Sequence, residues 1–309
     1  YFSIYAISYW SRAVLIPLLI IFAKRPQCHV PPEQGIDELY TQPPAEIDYS
    51  TVPPFKKDRT WFTARNFFIN LDALLKVYDR SPVEWVRQKS LKFAADWMLD
   101  HMKGSGGLGA IYPAMANSVM ALHCLGYKHD DPLVVKAMRE IEELEIHDTV
   151  MDNGQCVDAM HLQPCHSPIW DTALLINALI EAGMPQDHPA LQKASTWLLS
   201  KQTTTVGDWI ISAPGAEPGG WYFQFENELF PDVDDSAVVL MALSKVRLPD
   251  EEPQRLAIRR GCRWVTAMQG SDGGWGAYDV DNNRIVFNYI PFADHRALLD
   301  PSTADLAGR

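Results

Sequence analysis

An internal repeat is the feature that most restricts how this chain can fold. One copy contains DTALLINAL and, further on, KASTWLLSKQTTTVGDW, while the next contains DSAVVLMAL and RGCRWVTAMQGSDGGW. The opening aspartates, Asp171 and Asp235, lie 64 residues apart. Apolar residues recur with a helical period in each copy, so each unit is predicted to be a pair of helices followed by a turn that carries Gln, Gly and Trp. The fold class predicted from this pattern is all-α.

The Gln and Trp residues of the repeated turns have two interpretations. In a structural role, Gln202 and Gln269 hydrogen-bond backbone groups near the start of a neighbouring helix, and Trp209 and Trp275 lie over the joint and bury a large area. In the other role they contact a ligand. We favour the structural role.

Size and composition limit the class of protein. The chain has 309 residues, of which 47% are hydrophobic, enough for a large core arranged as two lobes or as one big domain. A net charge of -12 opposes the neutralisation of phosphates, so no nucleic-acid partner is predicted. The five scattered cysteines are odd in number, which argues against a disulfide framework and favours a reducing compartment such as the cytoplasm.

Several segments lie outside the repeat. Residues 28–60 are rich in proline and 148–168 are also irregular, so both are predicted to be loops. The apolar stretch 13–23 is shorter than the roughly 20 residues that span a bilayer and is predicted to be a buried helix. Because the sequence starts at Tyr1 and has no closing structural signal near Arg309, we expect the natural chain to extend in both directions.

A helix is predicted over residues 61–78, and its apolar side can face either of two environments. Basic residues flank this side, which suits a helix in a membrane interface. The same pattern suits an amphipathic helix that packs on the core. The apolar side comprises Phe67, Phe68, Leu71, Leu75 and Tyr78, and the basic residues are Lys56, Lys57, Arg59 and Arg65.

Three carboxylates crowd into four residues at Asp232, Asp234 and Asp235, immediately before an apolar helix. Mutual repulsion favours retention of at least one proton. A proton held at a helix N-terminus can be donated as a strong acid, because the helix dipole stabilises the carboxylate left behind. The alternative is helix capping by Asp232 or Asp235.

Metal binding is a weaker interpretation of the polar clusters. The segments DVDDS and DVDNN lack the glycine and glutamate that a calcium loop needs at its sixth and twelfth positions. The spacing of Cys156, His161, Cys165 and His166 matches no zinc template. The sequence also contains neither a phosphate-binding loop nor a nucleophile elbow, and we predict no metal and no cofactor.

The sequence around the three acids is unusually aromatic. Aromatic faces stabilise a cation without offering it a lone pair. Beside a proton donor, such a cluster therefore indicates carbocation chemistry. The aromatic residues are Trp170, Trp221, Tyr222, Phe223, Phe225 and Phe230 before the acids, and Trp275 and Tyr278 after them.

These segments carry a resemblance to the squalene-hopene cyclases, which are class II triterpene cyclases. PDVDDSA resembles the acidic signature of that family, SPIWDTA its tryptophan-bearing helix start, and the Gln/Trp turns its repeated motifs. IYAISYWSRA and GAIYPA extend the resemblance from about Ile4 to the end of the chain.

The resemblance implies an incomplete pair of α/α barrel (toroid) lobes of the triterpene cyclase type, which enclose a hydrophobic cavity. We divide them into residues 1–165, with the membrane-associated helix, and 166–309, with the acidic motif. The resemblance also implies cyclisation of squalene to hopene and hopanol without a cofactor. It further implies monotopic attachment to the membrane surface, on the cytoplasmic side of the bacterial inner membrane. A homodimer is a possible assembly, and the 1–309 fragment alone is expected to be inactive.

The resemblance also assigns roles to individual residues. Asp234 is expected to be the proton donor, with Asp232 and Asp235 as its acidic neighbours. Where some family members have a histidine partner for the acid, this chain has Arg309, four residues after Asp305. The expected cavity residues are Trp10, Trp170, Asp171, Phe223 and Tyr278, and the expected entrance residues are Ile111 and Pro113.

Two other functions remain open alternatives. A carbohydrate hydrolase on an α/α barrel would use two separated carboxylates and stack Trp and Tyr on sugar rings, whereas the acids here are bunched. A non-catalytic helical repeat protein would bind a partner on its concave face, which leaves the acidic triplet unexplained. Within the cyclases, an oxidosqualene enzyme would carry a single acid in a DCTAE-like context, so DVDDS favours squalene as the substrate.

Overall fold

The computed structural model describes residues 3–31, 34–47, 57–60, 62–152, 154–291, 293 and 297–309. Helices dominate this part of the chain, with one small two-stranded sheet, and the all-α class is confirmed. The helices are α1 (Tyr9–Lys24), α2 (Ala64–Arg80), α3 (Glu84–His101), α4 (Tyr112–Leu125), α5 (Pro132–Glu142), α6 (Pro168–Glu181), α7 (Pro189–Ser200), α8 (Val233–Lys245), α9 (Glu252–Ala267) and α10 (Ala304–Gly308).

Helix α1 is the central element of the first part of the chain. Ser8 caps it by accepting a hydrogen bond from the backbone N–H of Ser11, and its inner side buries Ala13, Ile16 and Ile20 against α3 and α4. This confirms that the apolar stretch is a core helix. Among the described residues, no helix combines the length and the apolar character needed to cross a membrane.

Two hydrophobic clusters form the core. The larger combines α1, α3 and α4 with Trp209, Phe230 and Trp264, so residues from both parts of the sequence share it. The smaller packs α6, α7 and α8 around Trp221. In this cluster Trp221 also donates a hydrogen bond from its indole Nε1 to the Leu198 carbonyl, at 2.7 Å. The start of α8 therefore lies where the two clusters meet.

The prediction that residues 148–168 form an irregular loop is wrong. Most of the segment belongs to an antiparallel hairpin of β1 (Glu145–Asp152) and β2 (Gln155–Leu162), in which Glu145 pairs with Leu162. The sequence contains the signal for this hairpin, since Asn153-Gly154 is the dipeptide that two-residue hairpin turns favour. Gly154 has a φ of 81°, a conformation that glycine adopts without steric cost.

The turns of the repeat contain structural contacts of two kinds. Gln202 is buried and donates from Nε2 to the carbonyls of Gly219 and Ala257, at 2.7 and 2.8 Å, which ties its turn to α9. Gln269 differs from the expectation, because it donates to Gly273 within its own exposed turn. Trp209 is fully buried, and Trp275 donates from Nε1 to the backbone of α9.

The described parts of residues 28–60 contain short 3-10 turns, at Gln34, Asp37–Leu39 and Pro44–Glu46, and Lys56 lies outside the described residues. Helix α2 buries only Asn66 and Phe68. Within the described residues, most of its apolar side chains therefore do not pack on the core. The exposed apolar side chains of α2 are Phe67, Leu74, Leu75, Val77 and Tyr78.

Packing of Trp221 is expected to contribute far more to stability than the exposed indole of Trp85. Trp221 is 0% exposed and hydrogen-bonded, so Trp221→Ala should lower the free energy of unfolding by about 3–5 kcal/mol. Trp85 is 70% exposed, so Trp85→Ala should change it by less than about 0.5 kcal/mol. Urea denaturation of the two purified variants measures the difference, and equal losses would contradict this account of the core.

Candidate active site

The acidic turn is built by helix capping. Asp232 is the N-cap of α8, and its Oδ1 accepts a hydrogen bond from the backbone N–H of Asp235 at 2.7 Å. Its own N–H donates to the carbonyl of Trp221, at 2.9 Å. Ser236 donates from Oγ to the Asp232 carbonyl at 2.6 Å and accepts from the Trp221 N–H at 2.8 Å. The turn is thereby held against the segment that contains Trp221.

Burial separates the three carboxyl groups. Asp232 and Asp235 are 4% and 2% exposed, whereas the side chain of Asp234 is 31% exposed. Burial raises the pKa of Asp235, and the negative charges of Asp232 and Asp234 raise it further. Burial also raises the pKa of Asp232, although hydrogen bonds from Asp235 oppose that rise. The buried pair therefore holds a proton more firmly than an exposed aspartate does, with Asp235 as its favoured site.

The side chain of Asp234 contacts a basic residue. Its Oδ1 forms an ion pair with Arg309. The Arg309 guanidinium carbon lies 5.0 Å from the centre of the Trp170 ring, in a cation–π arrangement. Trp170, in the first turn of α6, lies 6.3 Å from Phe223 between ring centres. The structure thus brings these four predicted site residues together.

A second aromatic pair lies on the other side of the acidic turn. Trp10, in the first turn of α1, stacks on Tyr278, with ring centres 5.5 Å apart and an angle of 13° between the planes. The Val233 N–H donates to the carbonyl of Ala277 at 2.9 Å, which links the Tyr278 loop to the start of α8. Burial raises the pKa of Tyr278 well above its ordinary value, and the charges of Asp232 and Asp235 add to the rise.

The remaining predicted residues have other contacts, and Asp305 lies close enough to Arg309 for an electrostatic interaction. Ile111 is a buried core residue that precedes α4, and Pro113 is exposed in its first turn. Asp171 is exposed and accepts a hydrogen bond from Ser167 Oγ at 2.7 Å. Asp305 is exposed, and a hydrogen bond from the Thr303 side chain lowers its pKa. Their predicted roles at the entrance and beside the acid stay predictions.

Two further carboxylates next to the site were missed by the sequence reasoning. Asp300 accepts hydrogen bonds from the backbone N–H groups of Ala277, Tyr278 and Asp279, at 2.9, 2.6 and 2.8 Å. Asp279 accepts one from the N–H of Tyr9, at 2.6 Å. The sequence did contain a signal for Asp279, because this residue directly follows Tyr278, which was a predicted site residue. Asp300 offered none, since its partners lie 21–23 residues away in the sequence.

A buried charge network joins α1 and α3 to the second part of the chain. Arg12 is 1% exposed and lies 3.6 Å from both Asp208 and Asp279, and His101 Nε2 lies 3.3 Å from Asp208. Trp97 donates from Nε1 to Asp208, at 2.9 Å. Burial opposes the charge on Asp208, but the contacts from His101, Trp97 and Arg12 outweigh it and lower the pKa of that carboxyl. The network holds α1 beside the Tyr278 loop.

The resemblance led us to expect a closed hydrophobic cavity in front of Asp234. Within the part of the chain that the structure describes, this face is open, because Asp234 and Arg309 both remain partly exposed and no described element covers them. A cavity of about 440 Å³ lies elsewhere, between α5 and residues 224–226. Among the described side chains, no three His, Cys, Asp or Glu residues are arranged to hold a metal ion.

Comparison with known proteins identifies the family. The family model of the squalene-hopene cyclase N-terminal domain matches residues 1–149, and that of the squalene-hopene cyclase C-terminal domain matches residues 166–309. The two models together match nearly the whole chain. The chain belongs to the squalene-hopene cyclase family.

Individual relatives agree with this assignment and differ in their named products. The chain is 39% identical to a squalene–hopene cyclase of Bradyrhizobium diazoefficiens, over 100% of this chain and 45% of the relative. It is 38% identical to a squalene–hopene cyclase of Alicyclobacillus acidocaldarius, over 98% and 46%. It is 40% identical to a dammaradiene synthase of Dryopteris crassirhizoma, over 99% and 43%. The chain therefore spans about half the length of these relatives.

The raised pKa of Asp235 predicts a pH-dependent stability. Above about pH 4 the unfolded chain releases this proton while the folded protein retains it, so its stabilising contribution is lost as the pH rises towards the folded pKa. Asp235→Asn removes the titration. Its stability relative to the wild type should improve with pH, by up to about 1.4 kcal/mol per pH unit. Denaturation of both forms of the complete protein between pH 5 and pH 8 measures this slope.

Asp272→Asn is the matched control for this measurement. Asp272 is an exposed aspartate whose pKa is lowered by hydrogen bonds from Gly274 and Ser302. A lowered pKa gives the opposite sign, because its stabilising contribution is present above the unfolded pKa and is lost on acidification. An Asp235→Asn variant whose stability relative to the wild type does not change between pH 5 and pH 8 would contradict the buried protonated pair.

Proposed function

We propose that the complete protein cyclises squalene, and that Asp234 starts the reaction by protonating a terminal alkene. One observation carries this proposal. Of the three clustered carboxyls, Asp234 alone is partly exposed and paired with Arg309, whose guanidinium lies over the Trp170 ring. Membership of the squalene-hopene cyclase family supports an apolar substrate of this class.

The other two carboxyls are poorly placed to donate. Asp232 is occupied in capping α8, and Asp235 lies buried behind it. Their shared proton nevertheless assists Asp234, since the carboxylate left by Asp234 then faces less negative charge. Arg309 stabilises the same carboxylate through its ion pair. Both effects favour release of the proton to a weak base such as an alkene.

The proposed reaction needs no redox partner. Asp234 first takes up a proton from solvent, which interrupts its ion pair with Arg309. Its O–H bond then breaks, the proton forms a C–H bond at one end of the terminal alkene, and the other carbon becomes a tertiary cation. Each following alkene donates its electron pair to the cation, which forms a carbon–carbon bond and moves the charge along the chain. The last cation either loses a proton to water, giving hopene, or captures water and then loses a proton from the resulting oxonium ion, giving hopanol. In both cases the released proton balances the one that Asp234 donated.

The aromatic pairs on either side of the acid supply the remaining requirement. Trp170 with Phe223, and Trp10 with Tyr278, present π faces near the acidic turn. Such faces stabilise a cation by roughly 2 kcal/mol or more once water is removed. Other parts of the complete protein would have to cover this face to exclude water.

We also propose that the chain divides into lobes at 165/166. The stretches matched by the two family models support this division.

Replacing the acid tests the proposal. Asp234→Asn keeps the size of the side chain but removes the acidic proton, so turnover of squalene by the complete protein should fall by roughly 10²-fold or more. Gas chromatography with mass spectrometry measures the products. It also distinguishes pentacyclic products from the tetracyclic dammarane type that the name of the fern relative indicates.

The control is Asp158→Asn, which removes an exposed aspartate on β2, far in sequence from the acidic turn. It should retain wild-type turnover. Unchanged turnover in Asp234→Asn would show that this residue is not the acid. A wild-type protein that converts no squalene would show that squalene is not the substrate. Tetracyclic products would be consistent with Asp234 as the acid but would show that hopene is not the product.

We also propose that α2 contacts the membrane surface, on the cytoplasmic side, where an apolar substrate would enter. Its exposed side chains Leu74 and Val77 would lie among the lipids. Tyr78 lines a cavity of about 270 Å³ together with Leu19 of α1, so the apolar surface continues onto that helix. Arg80 lies in the last turn of α2, and Lys57 donates a hydrogen bond to Asn70 of the same helix at 2.8 Å. Both side chains suit anionic headgroups.

Charge substitutions on α2 test the membrane proposal. Leu74→Glu with Val77→Glu should lower binding of the complete protein to phosphatidylglycerol-containing vesicles at least about tenfold in a sedimentation assay, because burial of each apolar side chain contributes about 1.5–3 kcal/mol. The control is Val150→Glu with Met151→Glu, which alters two apolar residues of β1 that are also exposed. Equal binding of the two variants would overturn the assignment of α2.

A further inference from the structure

The Tyr278 loop is organised by one carboxylate. Asp300 accepts three backbone hydrogen bonds from consecutive residues, Ala277, Tyr278 and Asp279, at 2.6–2.9 Å. A carboxylate has about four lone-pair positions and no hydrogen to donate, so it can satisfy all three N–H groups at once. An asparagine at this position would offer one oxygen, and its amide would direct N–H groups at the same donors.

Asp300 itself is fixed in place by its backbone. Its N–H donates to the carbonyl of Asn282 at 3.0 Å, in an antiparallel bridge. The two segments approach so closely that a Cβ at Gly276 would lie 2.5 Å from the Asp300 carbonyl oxygen. Only glycine fits there without a shift of the backbone. The position of the carboxylate is therefore determined by the fold rather than by side-chain flexibility.

The fixed loop connects directly to both neighbouring helices. The carbonyl of Ala277 accepts from Val233, which lies between Asp232 and Asp234. On its other side, Asp279 accepts from the N–H of Tyr9, which precedes Trp10 at the start of α1. Displacement of the loop would thus move Tyr278 relative to both the acid and Trp10.

We propose that Asp300 is a positioning residue that holds the Tyr278 ring against Trp10 and beside the acidic turn, so that the aromatic face is in place when the migrating cation forms. Asp300 acts through the three N–H groups of residues 277–279 and not by contact with substrate. This inference rests on the proposed cyclisation for its effect on catalysis. The structural effect on the Trp10–Tyr278 stack is independent of that proposal.

The first experiment compares Asp300→Asn with Asp272→Asn in the complete protein. Asp272 also accepts a backbone hydrogen bond, from Gly274 at 3.0 Å, but it lies on the exposed side of the preceding turn. With squalene as substrate, Asp300→Asn should lower kcat by about tenfold, for a loss of about 1.4 kcal/mol of transition-state stabilisation. KM should change less than twofold, and incompletely cyclised products should increase. Asp272→Asn should match the wild type.

A double-mutant comparison separates positioning from general destabilisation. If Asp300 acts through Tyr278, then Asp300→Asn introduced into Tyr278→Ala should lower kcat less than twofold further. A full tenfold loss in that background would overturn the inference, and so would a wild-type product pattern in Asp300→Asn. Asp300→Glu restores the charge and the acceptors, so it should recover part of kcat, and failure to exceed Asp300→Asn would also count against the role.

A spectroscopic measurement tests the inference even if squalene is not the substrate. The near-ultraviolet circular dichroism difference between the wild type and Trp10→Phe contains the contribution of the Trp10–Tyr278 stack. Asp300→Asn, or Asp300→Glu if the first variant does not fold, should reproduce part of that difference, and Asp272→Asn should not. An unchanged spectrum overturns the inference, whereas absence of turnover in the wild type overturns only the proposed cyclisation.

Discussion

The arrangement of this site depends on two carboxyl groups buried at the start of one helix. Asp232 caps α8 and Asp235 lies in its first turn, so both groups are held within a few ångströms of each other and away from water. Two buried negative charges at that distance are costly, and retention of a proton is the least costly solution. Asp234 is partly exposed and contacts Arg309, whose guanidinium lies over Trp170. Helix geometry thereby separates a buried, proton-retaining pair from a carboxyl that another molecule can reach.

The same turn connects the aromatic pairs to the rest of the protein. Trp221 fixes Asp232 from one side and Ala277 fixes Val233 from the other, so the acidic turn and the Tyr278 loop share a hydrogen-bonded frame. The Arg12 network joins α1 to this frame and places Trp10 on Tyr278. The proposed cyclisation would use this arrangement, since a cation that migrates between alkenes needs an acid at its origin and π faces along its path.

Local patterns in the sequence predicted the helical fold and the acidic turn, because helix periodicity, capping and charge crowding depend on residues near one another. The hairpin of β1 and β2 was predictable from Asn153-Gly154 and was missed because its flanking residues do not alternate clearly. The exposure of α2 depends on tertiary packing, and its sequence pattern fitted a buried or an exposed apolar side equally well. Asp300 could not be found, since its function arises from hydrogen bonds to a loop more than twenty residues away. An acidic residue without a local motif gives no sign of such partners.

The central claim is that the buried pair carries a proton at neutral pH, and infrared spectroscopy of the complete protein tests it most directly. With aspartate carboxyl carbons labelled with ¹³C, a protonated carboxyl gives a C=O stretching band that is distinct from the bands of a carboxylate. The account predicts that such a band persists at pH 7 in the wild type and is weakened in Asp235→Asn, which lacks the carboxyl that is the favoured site of the proton. A wild-type spectrum at pH 7 with only carboxylate bands would contradict it.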